Sequence, residues 1–410
     1  LDLADRDAVV ALMLRWDWII GVSVLAAVVV AVARRRRPSS EATPTDDEDA
    51  YSPADQLLHA MAFASPRVLR TASRIEDRVV ADAADQPDGP PIFVTSVARA
   101  GTTALLNALH ELPGVATHTY RDMPFLTAPS LWNTVAGGRR RRVATHERAH
   151  GDGLEIGLDS PEAFEEVLWR MHWPDKYRPT AIDLWGAADR DPDAEAFLTR
   201  HMGKVVRARR GRRAGATGPG GARYCSKNNA NVARLAFLPD AFPGCRVVVP
   251  LRRPECHAAS LLRQHENFLA RQSDDAFVQR YMRDLGHFEF GRIHRPIAFP
   301  GFDPQRHDPA TPDYWLAYWI AAFREVLAHR DRVLLVTQDD LRAAPQPTMA
   351  QLCDTLGLDH AGVDFSGAFR PTPDRAPTDV HDPRLYAEAA ELYAELAAVS
   401  LSGRPTPAGR

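Results

Sequence analysis

The segment spanning residues 90–109, PPIFVTSVARAGTTALLNAL, constrains this chain more than any other. An apolar run over 92–97, rich in β-branched residues, predicts a strand. It breaks at Ala98-Arg99-Ala100-Gly101 and restarts at Thr102-Thr103 as a helix-favouring stretch with Leu105, Leu106 and Leu109 on one face. Strand, tight basic loop and helix together point backbone N–H groups and a positive helix end at an anion. Gly101 lets the backbone come close, Thr102 and Thr103 add hydroxyls, and Arg99 supplies a permanent charge with forked donors. The segment reads as a cradle for phosphate or sulfate.

The nearest general motif is the nucleotide-hydrolase loop G-x-x-x-x-G-K-[ST]. Ser96 stands at its first Gly and Thr102 at its Lys, so the lysine that reaches terminal phosphates is missing and an ordinary ATP site is disfavoured. The loop instead resembles the 5′-phosphosulfate-binding loop of the sulfotransferases, in which a strand is followed by a basic residue and Ser-Gly-Thr-Thr opening a helix. Arg99 matches the basic position, and Gly101, Thr102 and Thr103 match outright. Ala100 departs from the usual Ser, which removes one hydroxyl donor.

Residues 224–262 carry a second match. The pattern predicts an amphipathic helix around Val232, Leu235 and Leu238 stopped near Pro239, a Phe242-Pro243-Gly244 turn, and a buried strand over 245–251 ending at Arg252. Pro254 suits the first turn of the next helix, which puts Ser260 roughly two turns in. This resembles the sulfotransferase stretch in which an Arg at a strand end and a Ser eight residues later hold the donor's 3′-phosphate, and Arg252 and Ser260 have that spacing. A third, weaker match is the strand over 332–341, which ends in acidic residues and Leu and is followed by a helix over 349–356 closed by Gly357. The resemblance, to a bacterial-type member, spans about residues 90–358. It implies a P-loop-like α/β fold, a three-layer sandwich with a central parallel sheet flanked by helices, and 3′-phosphoadenosine 5′-phosphosulfate as the sulfuryl donor.

Positive charge in this chain is almost all arginine, and lysine stands only at Lys176, Lys204 and Lys227. A compact ammonium can follow a moving charge, whereas guanidinium is a flat fork. The family places a Lys just before this helix on the donor's bridging oxygen, and Lys227 matches that place by resemblance. Sulfuryl transfer also needs a group to take the acceptor's proton. Family members place a His or Glu after the second strand or just past this Lys, but Asn228-Asn229 follows Lys227 and cannot serve. Residues 117–125 supply the candidates: Asp122, a carboxylate beside Arg121, and His118, which titrates near neutral. His150 and Asp152 are further alternatives. A transferring sulfuryl group carries less charge than a phosphoryl group, so no metal is expected, and the sequence has no metal-ligand cluster.

At 410 residues and 45% hydrophobic, the chain can bury one substantial α/β core, and its net charge of −3 gives no case for nucleic-acid binding. The four cysteines, Cys225, Cys245, Cys256 and Cys353, form no C-x-x-C and read as reduced thiols. Residues 18–33 are uncharged and mostly apolar, followed by arginines at 34–37. As a helix the run spans roughly 24 Å, short of the ~30 Å hydrocarbon core. It is either an N-terminal membrane anchor or an artefact of start assignment. As an anchor, the positive-inside rule holds the catalytic part in the cytoplasm, on the inner face of the membrane. The expected organisation is an anchor at 1–37, an acidic disordered linker at 38–55, a catalytic domain with its preceding helical segment at 56–375, and a C-terminal helix and tail at 376–410. Basic stretches at 139–142 and 205–223 read as solvated loops or as a lid over an acidic acceptor, and the aromatics Trp169, Trp173 and Trp185 as core or as the wall of an acceptor pocket. The partners expected are a small-molecule, carbohydrate or lipid acceptor and no nucleic acid. Two other functions are open on these residues: a nucleotide-dependent kinase, and a membrane-tethered nucleotide-binding protein without turnover.

Overall fold

The computed structural model describes residues 53–80, 87, 89–136, 146–147, 155–156, 159–210, 222–369 and 382–403. The apolar run at 18–33, the arginines at 34–37 and the acidic stretch up to residue 52 lie outside them. Among the described residues no helix is long and apolar enough to cross a membrane. The chain forms two compact units, one from 1–85 with 119–160 and one from 86–118 with 161–410.

In the first unit the segment expected as one helical stretch is two helices, α1 (Pro53–Ala62) and α2 (Pro66–Val79). The break precedes Pro66, which sits in the first turn of α2, because a proline ring excludes the residue before it from helical geometry. Ala62, Val68 and Ala72 bury against Phe125, Ala128 and Trp132, the last from a later helix of this unit. The fully buried Glu76 accepts the Leu131 backbone N–H at 2.9 Å, so its carboxylate serves a helix start that would otherwise be an orphan donor.

The second unit is built on a five-stranded sheet. Its strands are β1 (Ile92–Val94), β2 (Val115–Ala116), β5 (Arg223–Lys227), β6 (Arg246–Leu251) and β7 (Val333–Thr337), in spatial order β2-β5-β1-β6-β7 and all parallel. The labels β3 (His146–Glu147) and β4 (Glu155–Ile156) belong to a small antiparallel hairpin of the first unit. Every residue of β1 and β5 is buried, as a parallel sheet covered on both faces requires. Helix α3 (Thr102–His110) lays Leu105, Leu106 and Leu109 on Ile92, Val94 and Val248, each fully buried side chain contributing roughly 1.5–3 kcal/mol. The remaining helices are α4 (Pro129–Ala136) in the first unit and, in the second, α5 (Glu166–His172), α6 (Pro192–Arg210), α7 (Leu238–Ala241), α8 (Pro254–Asp274), α9 (Ala276–Leu285), α10 (Pro312–Ala328), α11 (Gln338–Ala343), α12 (Pro345–Leu356) and α13 (Pro383–Ala398).

Pro250 inside a central strand looks forbidden, since it donates no hydrogen bond. The register resolves it. Arg246 N–H reaches Pro91 O and Thr95 N–H reaches Val248 O, so residues of this parity face β1. Pro250 therefore faces β1 beyond its last residue, Val94, and Ser96 Oγ donates to its carbonyl at 2.9 Å.

Three expected elements take other forms. The helix expected around Val232 is a 3-10 turn over Asn229–Arg234, and Pro239 opens α7 instead of stopping a helix, because proline is favoured in a first turn. The strand expected over 332–341 ends at Thr337, whose hydroxyl accepts the Asp340 N–H at 3.0 Å; Asp339 and Asp340 thus lie in the first turn of α11, where negative charge meets the helix's positive end. Of the basic stretch at 205–223, residues up to Arg210 continue α6, with Val205 and Val206 buried, and 211–221 lie outside the described residues, as do 139–142.

Candidate active site

The order β5-β1-β6 puts β1 between two strands that the chain reaches only later, and this is where an open parallel sheet leaves a crevice at its carboxyl ends. Lys227 closes β5, in register with Val94 at the end of β1, while Arg252 follows the last residue of β6. Three separate sequence segments thus deliver Lys227, the 95–101 loop and Arg252 to one edge of one sheet.

The loop is held in an unusual shape. Arg99 has φ 71° and Gly101 φ 92°, both left-handed, and for a non-glycine residue that costs roughly 1–2 kcal/mol. Its carbonyls are tied down from α8 and from Arg252 at the end of β6. Arg252 Nη1 donates to Arg99 O at 3.1 Å and His257 Nε2 to Ala98 O at 2.6 Å, while Arg99 Nε reaches Ser260 Oγ at 3.4 Å. The His257 tautomer follows from its other nitrogen: Nδ1 accepts the Trp319 indole N–H at 3.1 Å, so Nε2 must carry the proton. Burial, followed by the charge of Arg252, pulls the His257 pKa down to about 3, and the ring stays neutral. The loop's curvature presents backbone N–H groups, and α3 begins directly behind it with Gly101 as its N-cap and no side-chain cap. Thr102 Oγ1 donates to Asn229 Oδ1 at 3.1 Å, so in this state its proton is committed to the protein. Ala100, fully buried, contributes backbone alone. Thr103, next on α3, is half-buried.

Lys227 and Ser260 are each 6% exposed and Arg252 7%, so the cations and hydroxyl lie within the fold rather than on its surface. Lys227 Nζ lies 4.0 Å from Glu162 Oε1. At that separation the attraction is about 4 kcal/mol for an effective dielectric near 20. That is enough to orient a flexible ammonium once partly offset by desolvation.

Glu162 belongs to a trio that the sequence reading passed over. Glu162, Glu165 and Glu166 are 5%, 2% and 2% exposed. Glu165 accepts from Tyr224 OH at 3.0 Å, Trp169 Nε1 at 2.8 Å and Asn231 Nδ2 at 2.9 Å. Glu166 accepts from Asn228 Nδ2 at 2.7 Å and pairs with Arg234 through both guanidinium nitrogens at 2.9 Å. Burial alone would raise the Glu166 carboxyl; the Arg234 charge and the hydrogen bonds outweigh it and hold it below its ordinary value. Arg234 in turn lies 4.4 Å from the Trp169 ring and 4.1 Å from that of Trp185, which makes those tryptophans the walls of a buried charge pair. Helical spacing puts the three carboxylates opposite Phe164, Val167, Leu168 and Met171, where a solvated face falls, and the only sequence signal against that is Trp169 and Trp173 on the same side.

The two base candidates from 117–125 have other work in the structure. Asp122, in the first unit, is fully buried and accepts from Thr119 N–H at 3.1 Å and Asn133 Nδ2 at 3.4 Å, capping the turn Tyr120–Asp122. Arg121 pairs with Asp159 instead, at 3.0 and 2.9 Å. In the second unit, His118 is buried with its Nε2 2.8 Å from His201 Nε2, so one ring must donate and the other accept. His150 and Asp152 lie outside the described residues. Among the described residues no group of His, Cys, Asp and Glu is placed to hold a metal ion.

A family model described as the sulfotransferase family matches residues 90–362, most of the chain. The chain belongs to the sulfotransferase family. No curated protein matches it in sequence. Solved structures similar to this sulfotransferase include STF9 from Mycobacterium avium, at 12% identity and TM-score 0.42 over 90% of this chain and 87% of that one. STF1 from Mycobacterium tuberculosis H37Rv is similar at 15% identity and TM-score 0.39, over 87% of this chain and 93% of that one. The sulfotransferase domain from the curacin biosynthetic pathway is similar at 13% identity and TM-score 0.34, over 75% and 98%. The matched span includes the 95–101 loop, Lys227 and Arg252.

Proposed function

We propose that this chain transfers a sulfuryl group from 3′-phosphoadenosine 5′-phosphosulfate to the hydroxyl of a small acceptor. The observation that carries the reading is the arrival of Arg99, Lys227, Arg252 and Ser260 at the carboxyl ends of three adjacent strands, β1, β5 and β6. That donor set suits a nucleotide carrying phosphates at both ends: a strained basic loop at the N-terminus of a helix, and a buried Arg with a hydroxyl within reach of it through Arg99.

In this reading Arg99, the backbone of Ala100 and Gly101, and the hydroxyls of Thr102 and Thr103 hold the 5′-phosphosulfate. Arg252 and Ser260 hold the 3′-phosphate. The donor supplies an activated sulfuryl group on a phosphate leaving group. The Lys227 ammonium, steadied by Glu162, meets the negative charge that grows on the leaving oxygen. Positioning and electrostatics carry such a transfer.

Calorimetric titration with 3′-phosphoadenosine 5′-phosphate tests the site. Arg252→Ala should weaken binding by the loss of a charge-assisted phosphate contact, on the order of 1.5–3 kcal/mol. Unchanged affinity removes Arg252 from the site, and ATP competing as well as the bisphosphate would redirect the reading to a kinase.

A further inference from the structure

Beside the 95–101 loop the second unit encloses ≈ 450 Å³ of empty space, its open mouth included. Its walls are sequence neighbours of the residues just assigned to the donor. Ala98 precedes Arg99, Leu261 follows Ser260, and Asn229 and Ala230 come directly after the Lys227-Asn228 pair. A molecule seated there lies against the loop.

The far wall is aromatic and stiff. Two guanidinium groups lie over the Phe288 ring, Arg170 at 5.1 Å and Arg295 at 4.3 Å from its centre. Phe290 and Trp315 have ring centres 5.8 Å apart, and Tyr318 stands nearly perpendicular to Trp315 at 6.4 Å. Flat aromatic walls suit a flat, compact aromatic ring.

One carboxylate, Glu289, lines the same space. Asn229 Nδ2 donates to Glu289 Oε1 at 3.1 Å while Asn229 Oδ1 accepts from Thr102 Oγ1 at 3.1 Å. A single amide therefore joins the cavity's acid to the first helical residue of the anion loop. Glu162, by contrast, is spent on Lys227 and on the Ala163 N–H, and does not line the cavity.

We propose that this cavity is the acceptor site, that it takes a compact aromatic hydroxyl compound, and that Glu289 receives the hydroxyl proton. The inference rests on the sulfotransferase reading above. In the step, the acceptor oxygen bonds to sulfur and the bond from sulfur to the bridging phosphate oxygen breaks, its electron pair staying on the phosphate near Lys227. The hydroxyl proton passes to the Glu289 carboxylate and then to water. The products are an aryl sulfate and 3′-phosphoadenosine 5′-phosphate.

The test uses the full chain, 2-naphthol as probe, and two variants, Ala230→Trp to fill the cavity and Glu289→Gln to remove the base. Titration with 3′-phosphoadenosine 5′-phosphate reports donor binding and folding for each, and its affinity should stay within about two-fold. Wild type loaded with the bisphosphate should bind 2-naphthol saturably, and Ala230→Trp should weaken that binding by about ten-fold or more. With radiolabelled donor, Glu289→Gln should slow single-turnover transfer to 2-naphthol by about 10²-fold, the size of a lost general base, with naphthol affinity little changed. Absence of saturable naphthol binding, absence of transfer to bound naphthol, or full-rate transfer by Glu289→Gln overturns the proposal. So does an Ala230→Trp protein that loses the bisphosphate but keeps naphthol, because the cavity would then house the donor's base. Wild type that binds naphthol in this cavity but not the bisphosphate would instead bring down the sulfotransferase reading and leave an aryl-binding pocket standing.

Discussion

Two side chains test the residue scale. Lys227, 6% exposed and 4.0 Å from Glu162, is in the proposed function the group that answers a charge existing only as the bond breaks. Lys227→Ala should therefore lower kcat by about 10²-fold or more, the loss seen when a transition-state donor is removed. Donor Kd should barely move, since ground-state grip comes from the loop and Arg252. Lys227→Arg should rescue poorly, because a planar fork cannot occupy the same point. Single-turnover rates set beside donor titrations decide it, and a kcat within a few-fold of wild type would shift the mechanism onto Arg99. His257 tests the loop's support through pH. Its folded pKa of about 3 lies below its ordinary 6.5, so the folded state binds fewer protons than the unfolded chain between those values. The contribution is complete above about pH 6.5 and is lost as pH falls toward 3, at up to about 1.4 kcal/mol per pH unit. His294, pulled down to about 4 chiefly by burial, acts in the same direction. Urea unfolding at pH 7, 6 and 5 should show a shallower pH slope for His257→Gln than for wild type; equal slopes would mean that another group carries the acid sensitivity.

At the scale of elements, two left-handed residues, Arg99 and Gly101, turn the chain from β1 into α3 within a few residues and shape the loop proposed to hold the 5′-phosphosulfate. Gly101→Ala should be harmful for its backbone: φ 92° costs an alanine roughly 1–2 kcal/mol, whereas the 2.9 Å approach of its new Cβ to Gln338 Nε2 meets only the end of a flexible side chain. The expected result is a lower Tm together with weaker binding of 3′-phosphoadenosine 5′-phosphate, because the loop relaxes away from its curved form. An alanine variant with wild-type Tm and affinity would show that the loop does not need its left-handed turn. The segment after Lys227 is fixed differently: the carboxylates of Glu165 and Glu166 hold Asn231, Asn228 and Arg234, so buried hydrogen bonds and one ion pair fix the 3-10 turn alongside its apolar residues Val232 and Ala233.

For the second unit as a whole, residues of the 383–401 segment are part of the core. Helix α13 packs on α8, α10 and β7, with Leu392 7% and Leu396 0% exposed. Beyond it Leu401 joins the core cluster of the sheet, and its N–H donates to Leu335 O on the edge strand β7 at 2.7 Å. An edge strand is the sheet's exposed template for unwanted pairing, and here a chain segment covers it. Ending the chain at residue 381 should lower Tm by at least several degrees and promote aggregation, as read by differential scanning fluorimetry and light scattering. A truncated protein as stable and monodisperse as the full chain would show that the helix is dispensable.

The local sequence was sufficient for the strand, basic turn and helix at 92–110, for the buried strand leading to Arg252, and for the family, because β-branched runs, Gly and Pro act over a few residues and leave their mark in order. It misplaced the end of β7, since Thr337 as an N-cap starts a helix in a stretch that alternation alone reads as strand. The spatial order β2-β5-β1-β6-β7 is a long-range outcome, and only it sets Lys227 beside Val94 and Arg252 beside the loop. The partners of the acidic side chains were equally out of reach of the sequence. Asp122 is a base candidate in the sequence and a cap in the fold, whereas Glu162, Glu165, Glu166 and Glu289, which no motif marks, hold Lys227, Tyr224, Arg234 and Asn229. A carboxylate's role depends on which charges and donors surround it once it leaves water, and those come from residues tens of positions away that only folding brings together.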